Sequence, residues 1–334
     1  MSASVNHPPT SLPAESYRET TREPDPESAS GRRWWHDFAV HGIFWRKFVD
    51  WAARNLPAAC HPLLIWTSAV LFFFIASPAR KAVLQNLRII LPRSSRLLNY
   101  SRVIRIFANF GWALADAAIY KLLKARFRCE LEGQNWLEKL ARSQSGAVVL
   151  TAHMGNYDLA AALFAEKFNR QIHMVRAPEP DALSAQHVDL SLQQSSSGAV
   201  RVGYSNSGTA LAFDLLCALR DGKIISIQGD RVIANVARAP VSFFGREVLL
   251  PTGPFVLSIV SETPIYPLFM VRTGYRQYKI IAREPIHCSR KGRSRDEQVS
   301  EAMRIWARVL EENVRMHWQQ WYAFVPIFEA GPTN

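Results

Sequence analysis

The sequence predicts an α/β fold, a predominantly parallel mixed sheet flanked by helices, preceded by an N-terminal helical region that anchors the chain to a membrane. Three observations predict it. From residue 127 onward, short apolar runs alternate with stretches of helical periodicity, the pattern of strands joined by helical crossovers. Ahead of them, residues 55–79 hold no Asp, Glu, Lys or Arg. Between that run and the first strand, residues 80–128 carry eleven Lys or Arg against one acidic residue, Asp116, and so supply +10 of the formal net charge of +12.

The elements follow in chain order. Residues 1–30 are rich in Pro, Ser, Thr and Glu with almost nothing apolar, the composition of a disordered tail. No apolar stretch follows a basic start there, so the segment lacks the character of a signal peptide. Residues 34–51 interleave Trp34, Trp35, Phe38, Phe44, Trp45, Phe48 and Trp51 with Arg and Lys. An interfacial helix needs this mixture, with rings at headgroup depth and cations toward phosphate. Residues 62–76, PLLIWTSAVLFFFIA, are the apolar heart of the uncharged run. They fall short of the roughly 20 residues that cross a bilayer core. A short tilted span, a re-entrant or interfacial helix, and a helix buried in the core are the readings open to them. Residues 80–92 place Val83, Leu84, Leu87, Ile90 and Leu91 on one helical face before Pro92 ends the pattern. A long helix over 97–123 follows, with Ile104, Phe107, Phe110, Leu114 and Ile119 on its apolar side.

Strands are expected near residues 126–131, 146–151, 171–175, 200–202, 223–228, 241–244, 265–271 and 278–282. Helices are expected near 135–142, 157–167, 182–195, 209–219, 254–262 and 295–316. This divides the chain into a tail (1–30), an aromatic and apolar anchoring segment (31–79) and an α/β domain (80–330). At 48% hydrophobic residues the chain can bury a sizeable core. Cys60, Cys129, Cys217 and Cys288 are widely separated, with no paired spacing that points to zinc or a disulfide framework. The nine histidines form no metal-ligand spacing either.

The chemistry concentrates in VVLTAHMGNYD, residues 148–158. A buried strand ends near Thr151, His153 follows, Gly155 and Asn156 break the backbone, and an apolar helix begins. On one continuous helix, residues five apart lie about 140° apart and could not face each other. With a turn between them, Asp158 in the first helical turn can reach back to one imidazole nitrogen of His153, fix its tautomer and leave the other free to take a proton. The alternative is a hydrogen-bonded core histidine beside a helix-start carboxylate. A second constellation, GDRV at 229–232, follows another short apolar strand. Asp230 is open to two roles, positioning Arg231 or acting as a second carboxylate near His153. Arg231 suits a phosphate, and an Asp–Arg surface pair on a turn is the plain alternative. In FFGREVLLPTGP, residues 243–254, a hairpin turns around Gly245 and Arg246. A helix then starts near Thr252 and Gly253, with Thr252 as cap, Pro254 in the first turn, and amides able to bind phosphate or an oxyanion.

A histidine and an acidic residue separated by four others, in the setting AHMGNYD, resemble the signature of the glycerophosphate and lysophospholipid acyltransferase superfamily. The nearer likeness is to the bacterial branch that adds late acyl chains to lipid A. The PTGP stretch and TPIYPLFMVR at 263–272 are similar to later blocks of that family, and Trp318 to Phe324 resemble its aromatic C-terminal end. The resemblance spans about residues 45–328. It implies a glycerophosphate-acyltransferase-like fold, with His153 as general base and Asp158 orienting it. Asn156, Asp230, Arg231, Arg246, Thr252 and Gly253 are candidates for substrate binding. It further implies a membrane-bound O-acyltransferase moving a fatty acyl chain from acyl carrier protein or coenzyme A to a hydroxyl of a lipid A-type or other glycolipid. The implied setting is the bacterial inner membrane with the active domain toward the cytoplasm. Acyl carrier protein and a membrane lipid are the expected partners; no nucleic acid, metal or cofactor beyond the acyl thioester is expected. A hydrolase using the same pair lacks the Gly-x-Ser-x-Gly elbow. A non-catalytic membrane-binding protein would need only the N-terminal third.

Overall fold

The computed structural model describes residues 43–177, 182–205, 208–232, 236–288, 292 and 294–328. The expected tail at 1–30, and Trp34, Trp35 and Phe38 of the aromatic stretch, lie outside the described residues. The N-terminal part is helical throughout: α1 (Ile43–Asn55), a short 3-10 turn (Ala58–Cys60), α2 (His61–Ile75), α3 (Ser77–Ile90) and α4 (Arg96–Leu123). In α2 only His61, Ile65 and Ala69 are buried. Their spacing of four makes one narrow stripe, and Gly111 of α4 lets Ile65 lie close against it. The rest of α2 is apolar and exposed, including Leu63, Trp66, Val70, Leu71 and Phe74. A helix buried in the core is therefore ruled out for residues 62–76. By length and composition two helical stretches could cross a membrane, Ala58–Ile75 and Arg96–Leu123. The second is mostly packed against the protein: Val103, Ile106, Phe107, Trp112 and Ile119 are all buried.

Asn86 in α3 does more than its place in a helix requires. Its side-chain amide donates to the carbonyls of Ala323 at 3.1 Å and Val325 at 2.9 Å, and its Oδ1 accepts from the amide of Ile327 at 3.0 Å. One buried side chain thus satisfies three backbone groups of the C-terminal segment at Ala323, Val325 and Ile327.

Among the described residues, seven strands form one sheet in the order β1-β9-β8-β2-β5-β3-β4, and β6 and β7 form a separate hairpin. The strands are β1 (Arg128–Glu132), β2 (Ala147–Thr151), β3 (Ile172–Arg176), β4 (Val200–Tyr204), β5 (Ile224–Gln228), β6 (Arg238–Phe243), β7 (Arg246–Pro251), β8 (Ile265–Gly274) and β9 (Gln277–Ala282). All neighbours in the large sheet are parallel except β8 and β9, which a tight turn makes antiparallel. The helices between and after them are α5 (Gln134–Arg142), α6 (Tyr157–Phe168), α7 (Ala182–Ser195), α8 (Gly208–Arg220), α9 (Gly253–Ser261) and α10 (Arg295–His317).

The central strand β2 is buried at every position. Because successive side chains point to opposite faces, Ala147 and Val149 join one cluster with Leu137 of α5, Ala161 of α6 and Leu192 of α7. Val148 and Leu150 join another with Leu87 of α3, Phe107 of α4, Phe255 of α9 and Trp306 of α10. That two-sided burial is why β2 reads as an unbroken apolar run. The chain leaves β2 through α6 on the first face and leaves β5 through the hairpin and α9 on the second. A crevice opens where neighbouring strands part in this way.

Candidate active site

The parallel register of β2 and β5 sets Thr151 opposite Gln228. Two residues beyond each of these come His153 and Asp230, so the register alone carries both side chains into the crevice. His153 Nδ1 and Asp230 Oδ1 lie 2.7 Å apart, with Asp230 fully buried. The other carboxylate oxygen accepts from Trp321 Nε1 at 3.0 Å. Asp230 is thereby held from two sides and cannot rotate away from the imidazole. With Asp230 accepting from an Nδ1 proton, Nε2 is the nitrogen left to take one.

Two glycines make the turn geometry. Gly155 sits at φ +59, and a Cβ there would run into the Met270 carbonyl of β8. Gly229 packs so closely that a Cβ would come within 2.7 Å of Leu150, while its carbonyl accepts from Trp306 Nε1 at 3.0 Å. The C-terminal segment closes the other side. Tyr322 N donates to the His153 carbonyl at 2.7 Å, and Gly155 N donates to the Gln320 carbonyl at 2.9 Å.

Asp158 occupies the first turn of α6, as expected, but it is not the partner of the imidazole. Its Oδ1 accepts from Arg176 Nη1 at 2.6 Å. Arg176 ends β3, two strands from β2 in the sheet. The Arg176 guanidinium also lies over the Tyr157 ring at 5.9 Å, and that ring meets His153 edge-on at 5.8 Å. The carboxylate within hydrogen-bond distance of the imidazole is thus Asp230, the second carboxylate, and not Asp158. Arg176 was missed from the sequence, where its one signal is its position at the carboxyl end of a strand.

Asn156 is a structural residue here. Its Oδ1 caps α6 by accepting from Leu159 N at 3.2 Å, and its amide donates to the Ala113 carbonyl at 2.9 Å and to the Tyr278 hydroxyl at 3.3 Å. Arg231 stays at the site and donates to the Tyr322 carbonyl at 3.0 Å. Arg246 is exposed at the start of β7, in register with Phe243. Thr252 and Gly253 open α9, but the Thr252 hydroxyl makes no capping bond because its backbone is already helical (φ −87, ψ −17). Its role as a side-chain cap is corrected accordingly. None of these three belongs to the hydrogen-bonded cluster around His153.

The electrostatics favour a neutral imidazole. Burial pushes the His153 pKa down, the positive charges of Arg231 and Arg176 push the same way, and Asp230 opposes them. For Asp230, burial would raise the pKa, but His153, Arg231 and the Trp321 hydrogen bond outweigh it and hold the carboxyl below the usual range. A neutral base beside a permanent anion is ready to accept a proton at neutral pH.

A cavity of about 250 Å³ borders Asp158 and runs past Leu159, Val188, Leu192, Tyr120 and Lys121. A second, of about 170 Å³, lies between α1, α2 and α4 and is walled almost wholly by apolar side chains such as Phe48, Ala69, Phe72 and Phe107. The two cavities are neighbours that share Trp45, Val49, Phe110, Leu114 and Phe324 in their walls.

Comparison with known proteins agrees with this architecture. The profile of a family described as bacterial lipid A biosynthesis acyltransferase matches residues 33–329. A phosphatidylinositol mannoside acyltransferase from Mycobacterium tuberculosis is 24% identical over 136 residues, which is 40% of this chain. The matched stretch covers 42% of that protein, less than half its length.

Proposed function

The chain belongs to the bacterial lipid A biosynthesis acyltransferase family, and from that premise we propose that it transfers a fatty acyl chain from an acyl thioester to a hydroxyl of a lipid A-type or other glycolipid. The observation that carries the reading is the His153–Asp230 pair, buried at the carboxyl ends of two adjacent strands. His153 Nε2 takes the proton of the acceptor hydroxyl as its oxygen attacks the thioester carbonyl. Asp230 holds the Nδ1 proton and stabilises the imidazolium that forms. The tetrahedral intermediate collapses, the C–S bond breaks, and the imidazolium returns its proton to the leaving thiolate. Arg176 and Arg231, the two guanidiniums whose charge reaches the imidazole, supply positive charge for the oxyanion. Asp158 acts through Arg176, which it anchors. The reaction needs no cofactor beyond the thioester, carried by acyl carrier protein or coenzyme A.

The acyl chain lies in the apolar cavity between α1, α2 and α4, and the exposed apolar face of α2 attaches the protein to a membrane. The setting in this reading is the bacterial inner membrane, with the site on its cytoplasmic side where acyl thioesters are made. The acceptor is tested by comparing the lipids, by mass spectrometry, of cells lacking the protein with cells given wild type or His153→Ala. Lipids heavier by one acyl chain are expected with wild type alone. Identical profiles in all three would overturn transfer to a bulk lipid.

A further inference from the structure

The corner between α3 and α4 carries a cationic cavity that the proposed reaction does not use. Residues 80–115 hold seven Lys or Arg and no acidic residue. Two of them, Arg88 near the end of α3 and Arg96 at the start of α4, wall this cavity with Leu84, Ser94, Asn99 and Tyr100. Both guanidiniums are exposed, and neither has an ion-pair partner among the described residues. Arg102 is otherwise engaged: it donates to Asn99 Oδ1 at 3.0 Å and lies over the Trp318 ring at 5.5 Å. It holds Asn99 of the cavity wall and does not itself line the cavity.

The apolar part of the cavity's rim is Leu84 and the Tyr100 ring. Tyr100 packs edge-on against Phe73 at 5.6 Å, and the Arg80 guanidinium lies over the same ring at 5.1 Å. Large apolar side chains are also exposed on the same two helices, Phe74 (68% exposed) and Leu63 (71%) on α2 and Leu97 (80%) on α4. A guanidinium pair suits a phosphate, because each fork can donate two parallel hydrogen bonds to its oxygens. A free phosphate would use the cations and leave the apolar rim idle. A lipid uses both.

We propose that this corner binds the phosphate of an anionic membrane lipid between Arg88 and Arg96, with the lipid's chains along the exposed face of α2 and the start of α4. The proposal rests on the membrane attachment in the reading above and not on acyl transfer. The headgroup holds the protein at a fixed depth and orientation, with the α2 face in the lipid.

The test sediments the purified full chain with phosphatidylcholine vesicles made with or without phosphatidylglycerol. Each basic group near an anionic surface strengthens binding about fivefold, so Arg88→Gln/Arg96→Gln is expected to lose roughly 25-fold on anionic vesicles and nothing on neutral ones. The control Arg126→Gln/Arg128→Gln removes equal charge beyond the far end of α4 and is expected to bind as wild type does. Equal losses from both pairs would overturn a defined site in favour of diffuse charge. Displacement by millimolar inorganic phosphate, but not by chloride at the same ionic strength, would overturn the lipid assignment in favour of a free phosphate. Undiminished vesicle binding by Arg88→Gln/Arg96→Gln, with weakened binding of acyl carrier protein, would make the corner a protein-docking surface instead. Sedimentation needs no turnover, so failure of the acyl-transfer reading leaves this result intact, and the reverse holds too.

Discussion

At the scale of the residue, the site turns on which carboxylate serves His153. Asp230 is buried, anchored by Trp321 and 2.7 Å from the imidazole, whereas Asp158 is committed to Arg176. Asp230→Asn is therefore expected to lower kcat/KM by about 10²–10⁴-fold, the range for losing an oriented general base. Asp158→Asn is expected to cost less and to act through looser positioning of Arg176. Because burial and two arginines hold the His153 pKa below its ordinary 6.5, the acid limb of the pH profile of kcat/KM should lie below that value. Removing Asp230 also removes the charge that opposes the shift, so the limb in Asp230→Asn should move further toward acid. Kinetics of both variants across pH decide the matter. A larger loss from Asp158→Asn than from Asp230→Asn would restore Asp158 as the orienting residue.

At the scale of the element, α3 is both a helix and a clamp. The Asn86 side chain makes three hydrogen bonds to the segment that carries Tyr322 over His153. Asn86→Ala would leave two carbonyls and an amide without partners, at a cost of about 3 kcal/mol once water reaches some of them. The expected result is a lower urea midpoint together with lower activity, since Tyr322 N, the Trp321 indole and the Tyr322 carbonyl all hold parts of the site. An unchanged midpoint would mean that the C-terminal segment is held by its aromatic contacts instead, among them Phe107–Phe324 and Phe110–Tyr322.

At the scale of the whole molecule, four histidines on separate elements share one direction of shift. His153, His173, His187 and His317 all have pKa values lowered from 6.5, with burial the leading cause in each. A group whose folded pKa is depressed gives stability that is fully present above its unfolded value and is lost as pH falls toward the folded one. The fold should therefore weaken as pH drops below about 6.5, because the unfolded chain takes up protons that the folded chain refuses. Urea midpoints measured from pH 7.5 to pH 5 should fall, and the fall should be shallower in His153→Gln. A flat profile would contradict the burial of these rings. The net charge of +12 adds self-repulsion that grows in the same direction.

The sequence by itself determined the elements and the location of the chemistry. Apolar runs of five residues become strands because two-sided burial demands them, and helical periodicity places α4 and α10 within a residue of their observed ends, while α3 begins three residues earlier than expected. His153 and the GDRV turn stand out because both follow such runs. Only the tertiary structure decided how they meet. Asp230 lies 77 residues from His153, and nothing local says that β5 pairs with β2 or that β3 delivers Arg176 to Asp158. Strand adjacency is set by long-range packing of helices on both faces of the sheet, a property no short window of sequence contains. Proximity along the chain pointed to Asp158, and the register of two parallel strands chose Asp230.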